Sequence, residues 1–351
     1  LSGDDQFDET DIYLSYNTIT SLAQNETTTV TSSFRIPVGI GENTYYVLAI
    51  LDVNQDIEES YESNNQQAIF VEVSLNGITN PTYRFTCPSY IATDDSLVDR
   101  STIASFNVLH LGWENQKDFN ALACTMSHFS LVGLNEVENE AAVVELRDTL
   151  IATTGLNWDY HISEHPVGNS HGWEYYAYVW RTDRVSMTST LGFFPDPQDV
   201  IKREPYGANF KMGEFDFTFV VFHQRCGKTI AVRRDEAVHS ADIYNYFQNA
   251  NGSENDVLFA GDFNLPGNDY SFSVVGVDGV EYLIDPEQKT SISATGLVNS
   301  FDNIFYSTTH TTEIVGSGVF DFTVGNYSLL HRTVSDHLPV WVSVDTSVDD
   351  D

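Results

Sequence analysis

The chain has 351 residues, enough for two domains at roughly 100–200 residues each. Its 51 acidic side chains face 16 Lys and Arg, a formal charge of −35, which argues against a DNA-packaging protein but leaves room for an enzyme with one basic cleft. Hydrophobic residues at 41% and aromatics at 13% exclude a disordered chain, and no apolar run approaches the ~18–20 residues of a membrane span. So acidic a chain repels itself in dilute buffer and is screened by salt, so a saline setting is expected. The opening Leu1-Ser2-Gly3-Asp4-Asp5 has neither the basic nor the apolar region of a secretory signal, and none is expected within the sequence. Cys87, Cys124 and Cys226 exclude a disulfide-rich scaffold and allow one bridge with a thiol left over, or none.

Residues 1–76 read as all-β, with strands expected at Tyr45-Tyr46-Val47-Leu48-Ala49-Ile50-Leu51 and Gln67-Ala68-Ile69-Phe70-Val71-Glu72-Val73. Residues 77–100 contain Gly77, Pro81, Pro88 and Thr93-Asp94-Asp95-Ser96, the composition of a linker. From Ser101 to residue 346, strand-like runs alternate with helical patterns, which predicts an α/β domain, followed by an acidic tail at 347–351. Strands are expected at Thr102–Leu109, Ser130–Leu134, Phe215–Val221, Val257–Ala260 and Leu338–Val342, and one helix at Arg233–Gln248.

Polar residues recur at the ends of these buried strands. Asn107 closes the first, Glu136 follows the second, Asp262 and Asn264 follow another, Asp302 lies in Phe301-Asp302-Asn303-Ile304, and Asp336-His337 precedes the last. Hard oxygen ligands at one rim of a sheet are what Mg²⁺ or Ca²⁺ requires. A histidine beside them can move a proton near neutral pH, which suits attack of water on a phosphate ester. Between Lys202 and Arg234 lie seven cations against three acids, and a phosphate-binding cleft is expected there.

Taken together, Ser105-Phe106-Asn107-Val108, Leu134-Asn135-Glu136-Val137, Gly261-Asp262-Phe263-Asn264, Phe301-Asp302-Asn303-Ile304 and Ser335-Asp336-His337-Leu338-Pro339-Val340 resemble the endonuclease/exonuclease/phosphatase superfamily, and within it secreted deoxyribonuclease I-like enzymes. The resemblance implies a four-layer α/β sandwich of two mixed sheets flanked by helices, and a Mg²⁺- or Mn²⁺-dependent endonuclease, with Ca²⁺ as a structural ion. It implies Glu136, Asn107, Asp262, Asn264 and Asp336 at the metal, and His223 and His337 as catalytic residues oriented by Glu174 and Asp302. Arg203, together with Asn264, is implied to bind the substrate phosphate. Related nucleases carry an arginine where this chain has Glu138, two residues after the metal-ligand glutamate, so the groove contact differs.

The N-terminal Tyr45–Asp52 and Glu59-Ser60-Tyr61-Glu62-Ser63-Asn64-Asn65 resemble part of a bacterial CARDB-type immunoglobulin-like domain, which implies export from a bacterial cell. Nucleic acid, DNA ahead of RNA, is the expected partner of a monomeric enzyme. The alternatives are a sphingomyelinase-like or sugar-phosphate phosphoesterase of the same fold and a noncatalytic exported adhesion module. Other patterns carry less. His161, His165 and His171 lack the helical H-E-x-x-H arrangement of a metalloprotease, Asp52–Ser63 lacks the glycine and terminal glutamate of an EF-hand, and Gly316-Ser317-Gly318 lacks a nucleophile elbow.

Overall fold

The computed structural model describes residues 100–113, 117–168, 173–250, 255–323 and 325–349, and, nearer the N-terminus, residues 2, 14, 28–30, 43–51 and 65–73. The chain divides into two compact units, Leu1–Arg84 and Phe85–Asp351. In the first, β1 (Asn43–Ile50) and β2 (Gln66–Val73) pair antiparallel in unbroken register from Asn43↔Val73 to Ile50↔Gln66. These are the two strands expected from the apolar runs. The expected linker before Arg100, Cys87 and the acidic loop after Leu51 lie outside the described residues.

The second unit alternates strands and helices: β3 (Arg100–Leu111), α1 (Phe119–Met126), β4 (Leu131–Val137), α2 (Glu140–Thr154), β5 (Trp158–Ile162), β6 (Tyr175–Arg181), β7 (Ser186–Phe193), β8 (Tyr206–Met212) and β9 (Phe215–His223). There follow α3 (Ile230–Ala237), α4 (Ser240–Ala250), β10 (Val257–Asp262), β11 (Val280–Tyr282), β12 (Ile292–Ser293), β13 (Gly296–Leu297), β14 (Asp302–Ser307), β15 (Ile314–Val319), α5 (Tyr327–Thr333) and β16 (Val340–Asp345). The helix expected from Arg233 to Gln248 is two helices, broken where Val238 and His239 turn back on Arg234 and Glu236.

Two six-stranded mixed sheets result, ordered β11-β14-β10-β9-β8-β7 and β15-β16-β3-β4-β6-β5. Three apolar layers join four layers of structure. Alternate residues such as Ile103, Leu131, Tyr178, Phe219 and Val340 interlock between the sheets. The opposite faces bury Phe106, Val132 and Leu134 with Leu122 of α1 and Leu146 of α2, and Val220 and Phe259 with Tyr244 and Phe247 of α4. This is the four-layer α/β sandwich expected. Sequence-local signals set the helix ends: Asn139 accepts from the Ala142 N–H at 3.0 Å, and Gly155 closes α2 at φ 70°.

In each sheet the central pair, β3 with β4 and β9 with β10, is parallel, so four strands deliver their carboxyl ends to one rim. Crevices at such ends are the usual ligand sites of open α/β sheets. Register shifts between Asn107 and Leu111 and between Leu134 and Val137 re-aim the side chains there. Four non-glycine residues at this rim are left-handed: Leu109, His110, Glu136 and Asn264, with φ of 47°, 51°, 61° and 53°. Such strain costs about 1–3 kcal/mol per residue and persists only where the surroundings enforce it.

Candidate active site

Asn107, where the register of β3 shifts, organises the carboxylates. Its Nδ2 donates to Glu136 Oε1 at 2.8 Å and to Asp262 Oδ2 at 3.3 Å, while its Oδ1 accepts from the Leu109 N–H. Burial opposes ionisation of Glu136, but His223, His110 and the Asn107 amide overcome it and hold the carboxyl down at about 2. Glu136 is therefore a carboxylate at neutral pH.

The two expected histidine–carboxylate pairs are in hydrogen-bond contact. His223, the last residue of β9, turns Nδ1 to both Glu174 oxygens at 2.9 Å, and His337 turns Nδ1 to Asp302 Oδ2 at 2.7 Å. Both Nε2 atoms face Asp262 Oδ2 at 3.6 Å, and His223 Nε2 lies 3.8 Å from Glu136 Oε1. Nδ1 held by a carboxylate fixes the ring and leaves Nε2 to exchange a proton at the centre. Burial works against the charged form of His337, but Asp302 and Asp262 raise its pKa well above the ordinary histidine value.

Residues further out hold these groups. Glu174 Oε1 also accepts from the Glu136 N–H at 3.2 Å. The Thr290 hydroxyl donates to Asp302 at 2.7 Å and accepts from the Phe301 and Asp302 N–H groups. Ser335 donates to the Asn107 carbonyl at 2.6 Å and accepts from the His337 N–H, which ties the loop before β16 to the end of β3. Tyr176, fully buried, accepts from the His223 N–H at 3.1 Å.

The sequence does not reveal the partners that Arg203, Asn264 and the basic stretch find within the protein. Arg203 is 3% exposed, with Nε and Nη2 donating to the His223 and Gln224 carbonyls at 2.9 Å and Nε 3.6 Å from Glu174. Through Nε and Nη2 it braces the His223–Glu174 pair. Asn264, beside Asp262, gives its backbone N–H to Asp262 Oδ1 and its side-chain Nδ2 to the Gln224 carbonyl. Four of the seven cations in the basic stretch, Arg203 included, face a carboxylate. Lys211–Asp216 at 3.0 Å, Arg225–Glu236 at 3.9 Å and Arg234–Asp269 at 2.8 Å are ion pairs, and Arg233 donates to the Gly227 and Asn264 carbonyls.

The tightest group of His and carboxylate donors at this rim is Asp262, Asp302 and His337, within 4.8 Å of one another. Asp336, expected at the metal, stands beside that group, and burial pushes its carboxyl up against the pull of His337 and Lys117, with Glu136 and Asp262 adding to the rise. Sequence reading missed His110 and Lys117. His110 Nδ1 contacts Glu138 at 2.6 Å, its N–H donates to Glu136, and the Glu138 carboxylate holds its pKa above the ordinary value. Lys117 donates to the Val334 carbonyl at 2.8 Å, and burial lowers its pKa to about 7 against the pull of Asp336 and Glu136. No motif marks either residue, since each partner lies far away in sequence. Elsewhere, His161 stacks on Tyr178 and Tyr206 and His165 on Phe193, as structural histidines do. Cys124 is disulfide-bonded and Cys226 is a free, exposed thiol.

No protein-family model matches the chain. It is 27% identical over 253 residues to a deoxyribonuclease of Thioalkalivibrio sp. (strain K90mix), an alignment covering 68% of this chain and 70% of that protein. It is 26% identical over 274 residues to deoxyribonuclease-1 of Sus scrofa, covering 69% and 90%. Among solved structures, an endonuclease/exonuclease/phosphatase family protein from Bacteroides thetaiotaomicron superposes with a TM-score of 0.52 at 19% identity, over 70% of this chain and 97% of that one. The second unit of this chain thus has the fold of the endonuclease/exonuclease/phosphatase superfamily and resembles, in sequence, its deoxyribonuclease I-like members.

Proposed function

We propose that the chain is a secreted, divalent-metal-dependent endonuclease that hydrolyses phosphodiester bonds of DNA. The observation that carries this reading is the pair of carboxylate-held histidines whose Nε2 atoms converge at 3.6 Å on Asp262 Oδ2, beside an ionised Glu136. The donor set fits Mg²⁺ or Mn²⁺: Glu136 and Asp262 are drawn together by the Asn107 amide, Asp336 stands near, and no soft ligand is among them. When bound, the cation supplies charge stabilisation to the phosphate oxygens. One histidine takes the proton of the attacking water at Nε2, and the other donates a proton from Nε2 to the departing 3′ oxygen. Glu174 and Asp302 keep both rings oriented, Arg203 braces Glu174, and Thr290 braces Asp302. The resemblance to deoxyribonucleases favours DNA as the substrate. The disulfide at Cys124 supports an oxidising, extracellular location.

Supercoiled plasmid, RNA and sphingomyelin, each incubated with Mg²⁺ or EDTA, form the test. Mg²⁺-dependent nicking of plasmid is expected. Cleavage of sphingomyelin alone, or plasmid cleavage unimpaired in EDTA, would overturn the reading.

A further inference from the structure

Trp113 is 59% exposed, yet the turn that carries it is tightly held. Leu109 donates its N–H to Asn107 Oδ1 at 3.0 Å, Leu109 and His110 are both left-handed, and Trp113 donates its N–H to the His110 carbonyl at 3.1 Å. Gly112, at φ 99°, lies against the start of α2: a Cβ there would fall 2.5 Å from Asn139 Nδ2, which donates to the Gly112 carbonyl at 2.8 Å. Two consecutive strained residues persist only where the surroundings enforce them, and here they present a large aromatic side chain to solvent. His110 ties that side chain to the catalytic rim. Its ring meets the Trp113 ring edge to face, with centroids 4.9 Å apart at 76°. The same imidazole is held by Glu138 at 2.6 Å and lies 3.7 Å from Glu136 Oε2, to which the His110 N–H donates at 3.2 Å. One imidazole ring therefore separates the indole from the metal-site carboxylate.

Resting on the nuclease reading above, we propose that Trp113 is a stacking platform for one unpaired base of the bound strand, next to the scissile phosphate, so that single strands and frayed ends bind better than closed duplex. A strand whose phosphate sits at Glu136 brings a neighbouring nucleotide to the indole. With 59% of the residue exposed, at least one face of that ring is open, and an open indole face stacks on any base without a hydrogen-bond match. A base inside a duplex is already stacked and must leave its neighbours to reach the ring. Glu138, where related nucleases carry an arginine, is engaged by His110 and offers no cation to a duplex groove. In a chain of −35, an uncharged contact also keeps its strength in salt that weakens phosphate contacts.

The test measures kcat and KM with Mg²⁺ for a labelled single strand, the same sequence as a blunt duplex, and single strands in which one abasic residue is walked past a fixed cut. With the wild-type protein, an abasic residue at one position beside the cut is expected to raise KM about 5–10-fold. Trp113→Ala raises KM about 10-fold for the intact single strand and less than about threefold for the duplex, leaves kcat within about twofold, and removes the abasic penalty, because binding lost equally from ground and transition states appears in KM. Trp113→Phe, which keeps an aromatic face, recovers most of the affinity. An unchanged KM in Trp113→Ala, an equal rise for single strand and duplex, or an abasic penalty that the variant retains would each overturn the platform. A loss confined to kcat marks a structural role for the turn and overturns it too, as does a wild-type protein that cuts only the duplex. A wild-type protein that cuts none of the substrates overturns the nuclease reading instead.

Discussion

Glu136 illustrates how one side chain links strain, charge and the proposed chemistry. Its φ of 61° and the bulge before Val137 turn it toward Asn107 and away from the pleat. Glu136→Gln keeps the shape and removes the charge, so cleavage with Mg²⁺ is expected to fall at least ~100-fold, about 2.7 kcal/mol of transition-state stabilisation, with folding retained. The same residue has a signature in stability, measured in EDTA by urea unfolding. Its folded pKa near 2 lies below the ordinary 4.5, so the ionised form stabilises the fold above about pH 4.5 and that benefit is lost as pH falls toward 2. The wild-type advantage over Glu136→Gln is expected to be level above pH 5 and to shrink between pH 4.5 and 2. An advantage that grows on acidification would contradict the assignment. His223→Ala and His337→Ala are each expected to lose ~100-fold or more in kcat, and the double variant little more, because groups acting as a unit are non-additive. Either single variant retaining near-normal turnover would remove that histidine from the mechanism.

At the scale of elements, the site depends on two sheets meeting face to face. Gly133 of β4 lies where the sheets approach closely: a Cβ there would lie 2.5 Å from Val221 Cγ2 and 2.8 Å from the Phe219 ring. Gly133→Ala is expected to destabilise the fold by about 1–3 kcal/mol and to lower activity, since β4 carries Glu136 and β9 carries His223. Adding Val221→Ala on the opposite sheet should return part of the loss in a urea titration, and a fully additive double variant would mean the two residues do not clash. Elements of this kind were legible in the sequence where one segment decides its own fate. The apolar runs at Thr102–Leu109 and Val257–Ala260 are strands because they are buried on both faces. The helix from Arg233 to Gln248 was misjudged as continuous because its break at Val238–His239 comes from backbone contacts rather than from Gly or Pro.

For the molecule as a whole, the charge of −35 is the feature DNA meets first. Salt near 1 M shortens the screening length to about 3 Å, which removes long-range repulsion of a polyanion. It also competes with direct phosphate contacts. The structure weights the balance toward the first effect, since Arg203, Lys211, Arg225 and Arg234 are already paired with Glu174, Asp216, Glu236 and Asp269. Initial plasmid-cleavage rates at fixed Mg²⁺ are therefore expected to peak at several hundred millimolar NaCl, on the order of a fivefold fall in screening length from dilute buffer. A steady fall from the lowest salt would show that the acidic surface has no such role.

By itself the sequence pointed to the candidate residues: polar side chains at the ends of buried strands mark Asn107, Glu136, Asp262, Asp302 and His337, and the family resemblance adds His223. Only the tertiary structure decided what surrounds them. Arg203 is directed inward, Glu138 is matched by His110, and Arg225 and Arg234 are paired with Glu236 and Asp269, since each outcome depends on a partner remote in the chain. Burial fixes these choices, because a charge taken out of water must find its counterpart wherever the fold has placed one.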